Sequence, residues 1–394
     1  MPVIGDFIKI KHGYAFKGDY ISTEDNNIVL VTPGNFAIGG GFKEQKCKFY
    51  IGKYPDDYVL KEDDLIVTMT DLSKSVDTLG YGALVPSSNK RVYLHNQRIG
   101  LVQFISDKID KHYLYWYMRT SRYQRSIVST SSGSTVHHTS PDRICEVEIE
   151  VPEMKIQKKI AGFLDDIEEK INVNENINRN LSEQAKALFE EELLKFDSVP
   201  EGWKKGSLSD IADYLNGLAM QKFRPGDDEK GLPVLKIKEL RQGSCDANSE
   251  LCSLNIKPEY IIHDGDVIFS WSGSLLVDFW CGGECGLNQH LFKVTSKKYD
   301  KWFYYAWTLY HLDRFIAVAA DKATTMGHIK REELSKAEVL IPDSDSYKRI
   351  GEVLGPLYDM IISNRVENRR LATLRDELLP MLMSGKKDVS EVEL

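Results

Sequence analysis

The end of this chain repeats its middle, and that repeat constrains the possible folds more than any other feature. Residues 149–194 open on Ile149-Glu150-Val151-Pro152 and run into a long charged segment; residues 339–384 open on Val339-Leu340-Ile341-Pro342 and do the same. Val151–Pro152 aligns with Ile341–Pro342, 190 residues further on, and the offset then holds without a gap. Ile160 falls on Ile350, Leu164 on Leu354, Ile171 on Ile361, Asn174 on Asn364, Asn178 on Asn368, Leu181 on Leu371 and Leu188 on Leu378. Two copies of one element around a globular stretch imply a protein built as two equivalent halves.

Both copies carry a heptad seam. Gln157, Ile160, Leu164, Ile167, Ile171, Asn174, Asn178, Leu181, Ala185 and Leu188 recur at alternating steps of three and four. The second copy has Leu354, Leu357, Ile361, Asn364, Asn368, Leu371, Arg375, Leu378 and Leu382. Pro152 and Pro342 precede the helices, and Pro200 in Ser198-Val199-Pro200-Glu201-Gly202-Trp203 marks a stop and a new domain. Each helix spans roughly 40 residues, on the order of 60 Å at the α-helical rise. A helix of that length with one apolar stripe needs a partner.

Two separate amphipathic helices, each on its own domain, are the simpler arrangement. An antiparallel pairing that sets Asn174 opposite Asn368 makes a stronger prediction. In that register Ile160 meets Leu382, Leu164 meets Leu378, Ile171 meets Leu371, Leu181 meets Ile361, Ala185 meets Leu357 and Leu188 meets Leu354. Asn178 then meets Asn364, so the polar interruptions satisfy one another and fix the register. Only Ile167 against Arg375 fits poorly. The expected class is α+β: two globular domains alternating with two long helices paired as an antiparallel coiled coil. The expected boundaries are 1–150, 151–197, 198–340 and 341–394.

The globular segments are rich in short β-type runs: Ile28–Thr32, Leu65–Met69, Ile99–Phe104, Val234–Ile237 and Val267–Trp271. A helix is expected late in each, around His112–Ser126 and Trp302–Ala317. The segments are distant relatives. Gly13-Tyr14-Ala15-Phe16 resembles Gly217-Leu218-Ala219-Met220, and Tyr58…Asp64-Leu65-Ile66-Val67-Thr68 resembles Tyr260…Asp266-Val267-Ile268-Phe269-Ser270. Asn96-Gln97-Arg98 resembles Asn288-Gln289-His290, and Ser134-Thr135-Val136-His137-His138 resembles Thr324-Thr325-Met326-Gly327-His328. A shared frame with different intervening sequence suggests two readers of different targets.

In order and duplication these landmarks resemble the specificity subunit of a type I restriction–modification system, over essentially the whole chain. The resemblance implies that the globular segments are target-recognition domains, each reading half of a bipartite, asymmetric site in double-stranded DNA. It implies that the helices set the half-site spacing and help dock two adenine-specific methyltransferase subunits, through which motor-endonuclease (restriction) subunits join. It also implies a non-catalytic chain without a cofactor. One departure is that no Pro-Glu-Gly-Trp lead-in precedes Gly13, which puts the edge contacts of the first domain in question. The net charge of −8 weighs against a nucleic-acid binder, but an average leaves room for a basic groove. No apolar run reaches bilayer length, no membrane partner is expected, and the cytoplasm is the default compartment.

Candidate DNA contacts follow the landmarks. The loop with Thr70, Ser73, Lys74 and Ser75 and its counterpart with Trp271, Ser272 and Ser274 follow buried strands; polar surface loops also occur with no such role. Asn96, Gln97, Arg98, Asn288, Gln289 and His290 include side chains that pair with adenine and guanine. Their duplication fits a shared structural role equally well. Ser134, Thr135, Thr324 and Thr325 suit phosphate, with His138 and His328 orienting that loop or serving as structural histidines. Cys245, Cys252, Cys281 and Cys285, with His263 and His290, lack the paired short spacings of zinc modules, so no metal is expected. No methyltransferase motif is evident, and Pro141-Asp142…Glu153-Met154-Lys155 mimics a nuclease pattern without a second copy. Two other readings remain: a protein-binding coiled-coil scaffold, and the targeting chain of another DNA-modifying defence assembly.

Overall fold

The computed structural model describes residues 1–73, 75–133, 135–321 and 329–392. Two compact units emerge: Met1–Glu169 with Thr373–Leu394, and Lys170–Ala372. The long helices are Met154–Phe189, extended by a π-helical turn over Glu190–Leu194, and Ser344–Met383. Each unit therefore takes one stretch of each helix. Among the described residues no helix is long and apolar enough to cross a membrane.

The globular part of the first unit holds two larger sheets and a two-stranded one. One orders Ile8–His12, Ile99–Phe104, Leu65–Thr68 and Gly82–Leu84, all antiparallel. The other orders Ile21–Ser22, Lys48–Tyr50, Ile28–Val31, Val92–His95 and Val59–Leu60, with the pair Ile28–Val31 and Val92–His95 parallel. The second unit repeats the plan. Asp213–Asn216, Leu291–Thr295, Val267–Ser270 and Leu276–Phe279 form an antiparallel sheet. Leu251–Cys252, Leu232–Leu235, Cys285–Leu287 and Ile261–Ile262 form the mixed one. Leu65, Ile66 and Val67 are buried without alternation, as are Val267, Ile268 and Phe269, because these strands have apolar neighbours on both faces.

The late helix of each domain is broken into two: Lys111–Tyr117 with Ser121–Ser129, and Lys301–Tyr310 with Leu312–Asp321. In the first unit Thr120 causes the break by capping the second piece, its Oγ1 accepting from Tyr123 N–H. The aromatic faces, among them Tyr113, Trp116, Phe303 and Trp307, are buried in the core of their own unit.

Within the second unit the helices run antiparallel. Asn174 Nδ2 donates to Asn368 Oδ1 at 2.8 Å, and Asn364 Nδ2 to Asn178 Oδ1 at 2.9 Å. Asn368 Nδ2 also reaches Ile171 O at 3.2 Å, so amides that are expensive to bury alone are paired across the seam. Within the first unit Ile160, Leu164, Leu378 and Leu382 share one buried cluster. Arg375, the poor fit opposite Ile167, bonds instead to Glu168, with Nη1 and Oε2 2.6 Å apart. Glu168 also meets Arg119 at 3.4 Å, and the Arg119 guanidinium lies 4.4 Å from the Trp116 ring centroid. Ile167 stays buried, so seam and charge are satisfied side by side.

Candidate nucleic-acid interface

Three landmarks of the first domain converge at the end of the strand Leu65–Thr68. Met69 N–H donates to Arg98 O at 3.0 Å, and Met69 O accepts from Thr139 N–H at 3.0 Å. Thr70–Asp71 then pairs with His137–His138. Thr70, which is buried, shares a 3.1 Å hydrogen bond with His138 Nδ1. The following loop is folded on its own carboxylates. Ser73 Oγ donates to Asp77 Oδ1 at 2.9 Å and Ser75 Oγ to Asp77 Oδ2 at 2.5 Å. Asp71 accepts from Ser73 N–H and from the amide and hydroxyl of Thr78. Burial opposes its charge most strongly, but these bonds outweigh it and hold its pKa below the ordinary carboxylate value. Thr135 is exposed, whereas Lys74 and Ser134 lie outside the described residues.

The Asn-Gln turn has a structural half and an outward half. Asn96 Oδ1 accepts from Arg98 N–H at 3.1 Å, an Asx-type closure. His95 Nε2 donates to Ile99 O at 2.8 Å; burial pushes its pKa down to about 4, so the ring is neutral. Gln97 and Arg98 are exposed.

The second domain repeats this frame. Ile329 N–H donates to Trp271 O at 3.1 Å, the counterpart of Thr139 to Met69. Ser270 Oγ donates to Ser272 O as Thr68 Oγ1 donates to Thr70 O. Asn288, which is buried, closes its turn by accepting from His290 N–H at 3.2 Å. Here the hydroxyl–histidine pair involves the Asn-Gln turn: Ser272 Oγ lies 3.1 Å from Nδ1 of His290. Trp271 stacks on Phe292 with centroids 5.6 Å apart, and its Nε1 donates to Asn216 Oδ1. These residues, with Ile329, Lys330 and Arg331, line a cavity of about 380 Å³. Gln289 and His290 are half-buried and Ser274 is exposed; Thr324 and Thr325, with His328, lie outside the described residues.

Sequence reasoning gave the glycines of the opening landmarks no role, yet they hold the frame. A Cβ on Gly13 would stand 2.1 Å from Asn96 O, and one on Gly217 2.2 Å from Asn288 O. Here the chain crosses the Asn-Gln turn at backbone contact. Tyr14 N–H donates to His95 O and Gln97 N–H to Tyr14 O; Leu218 N–H donates to Leu287 O and Gln289 N–H to Leu218 O. A glycine and an Asn-Gln pair recurring at matched positions were the available signal. Among the described residues no cluster of three or more His, Cys, Asp or Glu side chains suits a metal ion.

Comparison with known proteins agrees with this two-domain plan. The family described as type I restriction modification DNA specificity domain matches residues 3–183 and 200–372. The type I restriction enzyme MjaIX specificity subunit of Methanocaldococcus jannaschii is 24% identical over 316 residues, 73% of this chain and 71% of that protein. The EcoBI specificity subunit of Escherichia coli is 23% identical over 210 residues, 51% of this chain and 43% of that protein. The crystal structure of the type I restriction–modification S subunit from M. genitalium has the same fold, with a TM-score of 0.59, 14% identity, and coverage of 96% of this chain and 94% of that one. The chain therefore belongs to the type I restriction modification DNA specificity family, as a specificity subunit that carries the domain twice.

Proposed function

We propose that each convergence of strand end, Asn-Gln turn and late segment is a DNA-reading face, and that the two faces read the halves of one split target in duplex DNA. The observation that carries this reading is the duplicated frame with unlike exposed groups. The first face offers Gln97, Arg98 and Thr135; the second offers Ser274, Lys330 and half-buried Trp271, backed by buried Phe292. Arginine suits the guanine O6/N7 edge and glutamine the adenine N6/N7 edge, while hydroxyls and lysine suit phosphate. Thr70, Asn96, Ser272 and Asn288 serve the frame, and their backbone and hydroxyl bonds set the height of the exposed groups. The domain boundaries follow: recognition domains 1–150 and 198–340, helices 151–197 and 341–394.

Two weak readers held in one chain combine their specificities, because the second contact becomes intramolecular. The paired helices then dock two methyltransferase subunits, and restriction subunits join through that core. In this assembly the chain supplies recognition and its partners the chemistry. Methylome sequencing after co-expression with a type I methyltransferase tests the reading. A split methylated site with a fixed gap is expected; a contiguous site, or none, overturns it. Arg98→Ala should relax one position of one half-site, costing about 1–3 kcal/mol, and leave the other half-site unchanged.

A further inference from the structure

The second of the proposed reading faces carries a cavity that the frame shared by the two domains does not require. Asn216 and Phe292 stand opposite each other on paired strands, and Trp271 follows the next strand, Val267–Ser270. The half-buried Trp271 ring stacks on buried Phe292. Its Nε1 donates to Asn216 Oδ1 at 3.0 Å, which leaves the Asn216 Nδ2 donor for another acceptor. Trp271 O holds the late segment by accepting from Ile329 N–H at 3.1 Å. Arg331 Nη2 donates to Tyr214 O at 2.9 Å, which keeps its guanidinium 5.6 Å from the Phe292 ring centroid. Lys330, exposed, completes the lining.

The first domain closes the same place. By the offsets of the landmarks, His12, Gly100 and Met69 correspond to Asn216, Phe292 and Trp271. Thr139, Ser140 and Pro141 correspond to Ile329, Lys330 and Arg331. His12 again pairs with Gly100, so the correspondence holds in the strands as well. A Cβ on Gly100 would stand 2.4 Å from Ile10 Cγ2 and 3.4 Å from Met69 Sδ, and Met69 is buried. Neither a Trp–Phe pair nor a Lys–Arg pair stands at these positions. The cavity of the second domain, about 380 Å³, lies within the range of roughly 300–1,000 Å³ typical of small-molecule sites. A thymine methyl reaching in from a groove is far smaller than that space, whereas a whole base is of its scale.

We propose that this cavity takes one base turned out of the duplex within the half-site read by the second domain. The inference rests on the DNA-reading proposal above and adds the manner of reading. The base lies against the Trp271 ring, and Lys330 and Arg331 meet the phosphates flanking the turned-out nucleotide. Stacking on a ring tolerates any base, so the Asn216 amide supplies the selection. Its Nδ2 donates to a ring carbonyl, which thymine, cytosine and guanine have and adenine lacks. The occupant is therefore not an adenine presented to a methyltransferase.

The test uses the full chain assembled with a type I methyltransferase and duplexes bearing the methylated site. Each duplex has one mispaired position in the half-site that Arg98→Ala leaves unchanged. Mispairing lowers the cost of turning a base out. One position holding thymine, cytosine or guanine should therefore bind at least about tenfold tighter than the matched duplex in anisotropy competition. The pair containing the methylated adenine is left out, because the methyltransferase acts there. Trp271→Ala should abolish the preference, and Trp271→Phe, which keeps a ring, should retain it. The scan with the unaltered chain decides without any variant. A flat scan, or a preference that survives Trp271→Ala, overturns the inference alone while the matched duplex still outcompetes one with that half-site scrambled. If the scrambled duplex competes equally, the DNA-reading proposal fails and this inference with it.

Discussion

The two recognition domains meet their own stretches of helix with different chemistry on one plan. In the first unit the seam is ionic. His112 lies 2.7 Å from Asp165 and 3.3 Å from Asp63, Trp116 Nε1 donates to Asp165 Oδ1, and buried Arg119 forms a triad with half-buried Glu168 and Arg375. In the second unit the counterparts are apolar or aromatic: Trp302 for His112, Gly355 for Asp165, Tyr358 for Glu168, Ala185 for Arg375 and Leu309 for Arg119. Tyr305 stacks on Phe279 at 3.8 Å and meets Tyr358 edge-on at 5.0 Å, while Trp302 lies against Gly351 and Gly355. The second unit's ion pairs, Arg365 with Asp278 and Arg369 with Asp264, are partly exposed. Desolvated charges tolerate only their own partners, whereas stacked rings depend on shape. One architecture therefore carries one seam sensitive to charge and another sensitive to volume.

The largest expected effect comes from breaking the ionic seam. Arg375→Ala leaves half-buried Glu168 with Arg119 alone and should cost about 2–3 kcal/mol in denaturant unfolding. Tyr358→Phe keeps the ring at the matching place and should cost within about 0.5 kcal/mol. Equal costs would erase the contrast. A smaller effect tests the other seam. A Cβ on Gly351 would stand 2.8 Å from Trp302 Nε1, so Gly351→Val should cost about 1–3 kcal/mol by overpacking. Its buried counterpart Ala161 already carries a Cβ, and Ala161→Gly should cost about 1–2 kcal/mol through helix propensity and the lost buried methyl. A Gly351→Val protein as stable as the parent would show that Trp302 does not set the spacing there.

The sequence discloses these seams unevenly. Period and offset expose the helices and the facing of Asn174 with Asn368, because a heptad repeat is local and buried amides need partners. The Arg375 mismatch is visible too, but its resolution is not. Arg119 comes from a distant helix, and no spacing rule links it to Glu168. At the proposed reading faces the Asn-Gln repeats and the Ser/Thr-His segments are legible as landmarks. The division of labour within them is not, because Asn96 and Gln97 differ only in which way the turn points each side chain. The clash that makes Gly13 and Gly217 necessary is between backbones, and composition carries no trace of it. The hydroxyls of Ser73 and Ser75 are legible in sequence, but not the bonds that both donate to Asp77.

The smallest expected effect is the pH response of the seams, and it has opposite signs at two groups. Burial works most strongly against the Glu168 charge, but Arg119 and Arg375 outweigh it and hold the carboxyl below its ordinary 4.5. Its contribution is therefore complete above that value and is lost as pH falls through the lower folded value. His112 is raised above its ordinary 6.5, first by its contact with Asp165 and further by Asp63, against the lowering effect of burial. Its contribution is complete below 6.5 and fades as pH rises through the folded value. Because the ring is partly exposed, solvent screening limits this to under about 1 kcal/mol. Hydrogen exchange over Lys111–Tyr117 should accelerate across that alkaline limb, beyond the intrinsic rate change, while Lys301–Tyr310 stays level. Transplanting the second unit's solution, with His112→Trp, Asp165→Gly and Ala161→Gly together, should flatten the limb, because it removes the imidazole and its Asp165 contact and makes room for the indole. If the slope survives in the triple variant, the pH response belongs to some other group and the ionic seam is not its source.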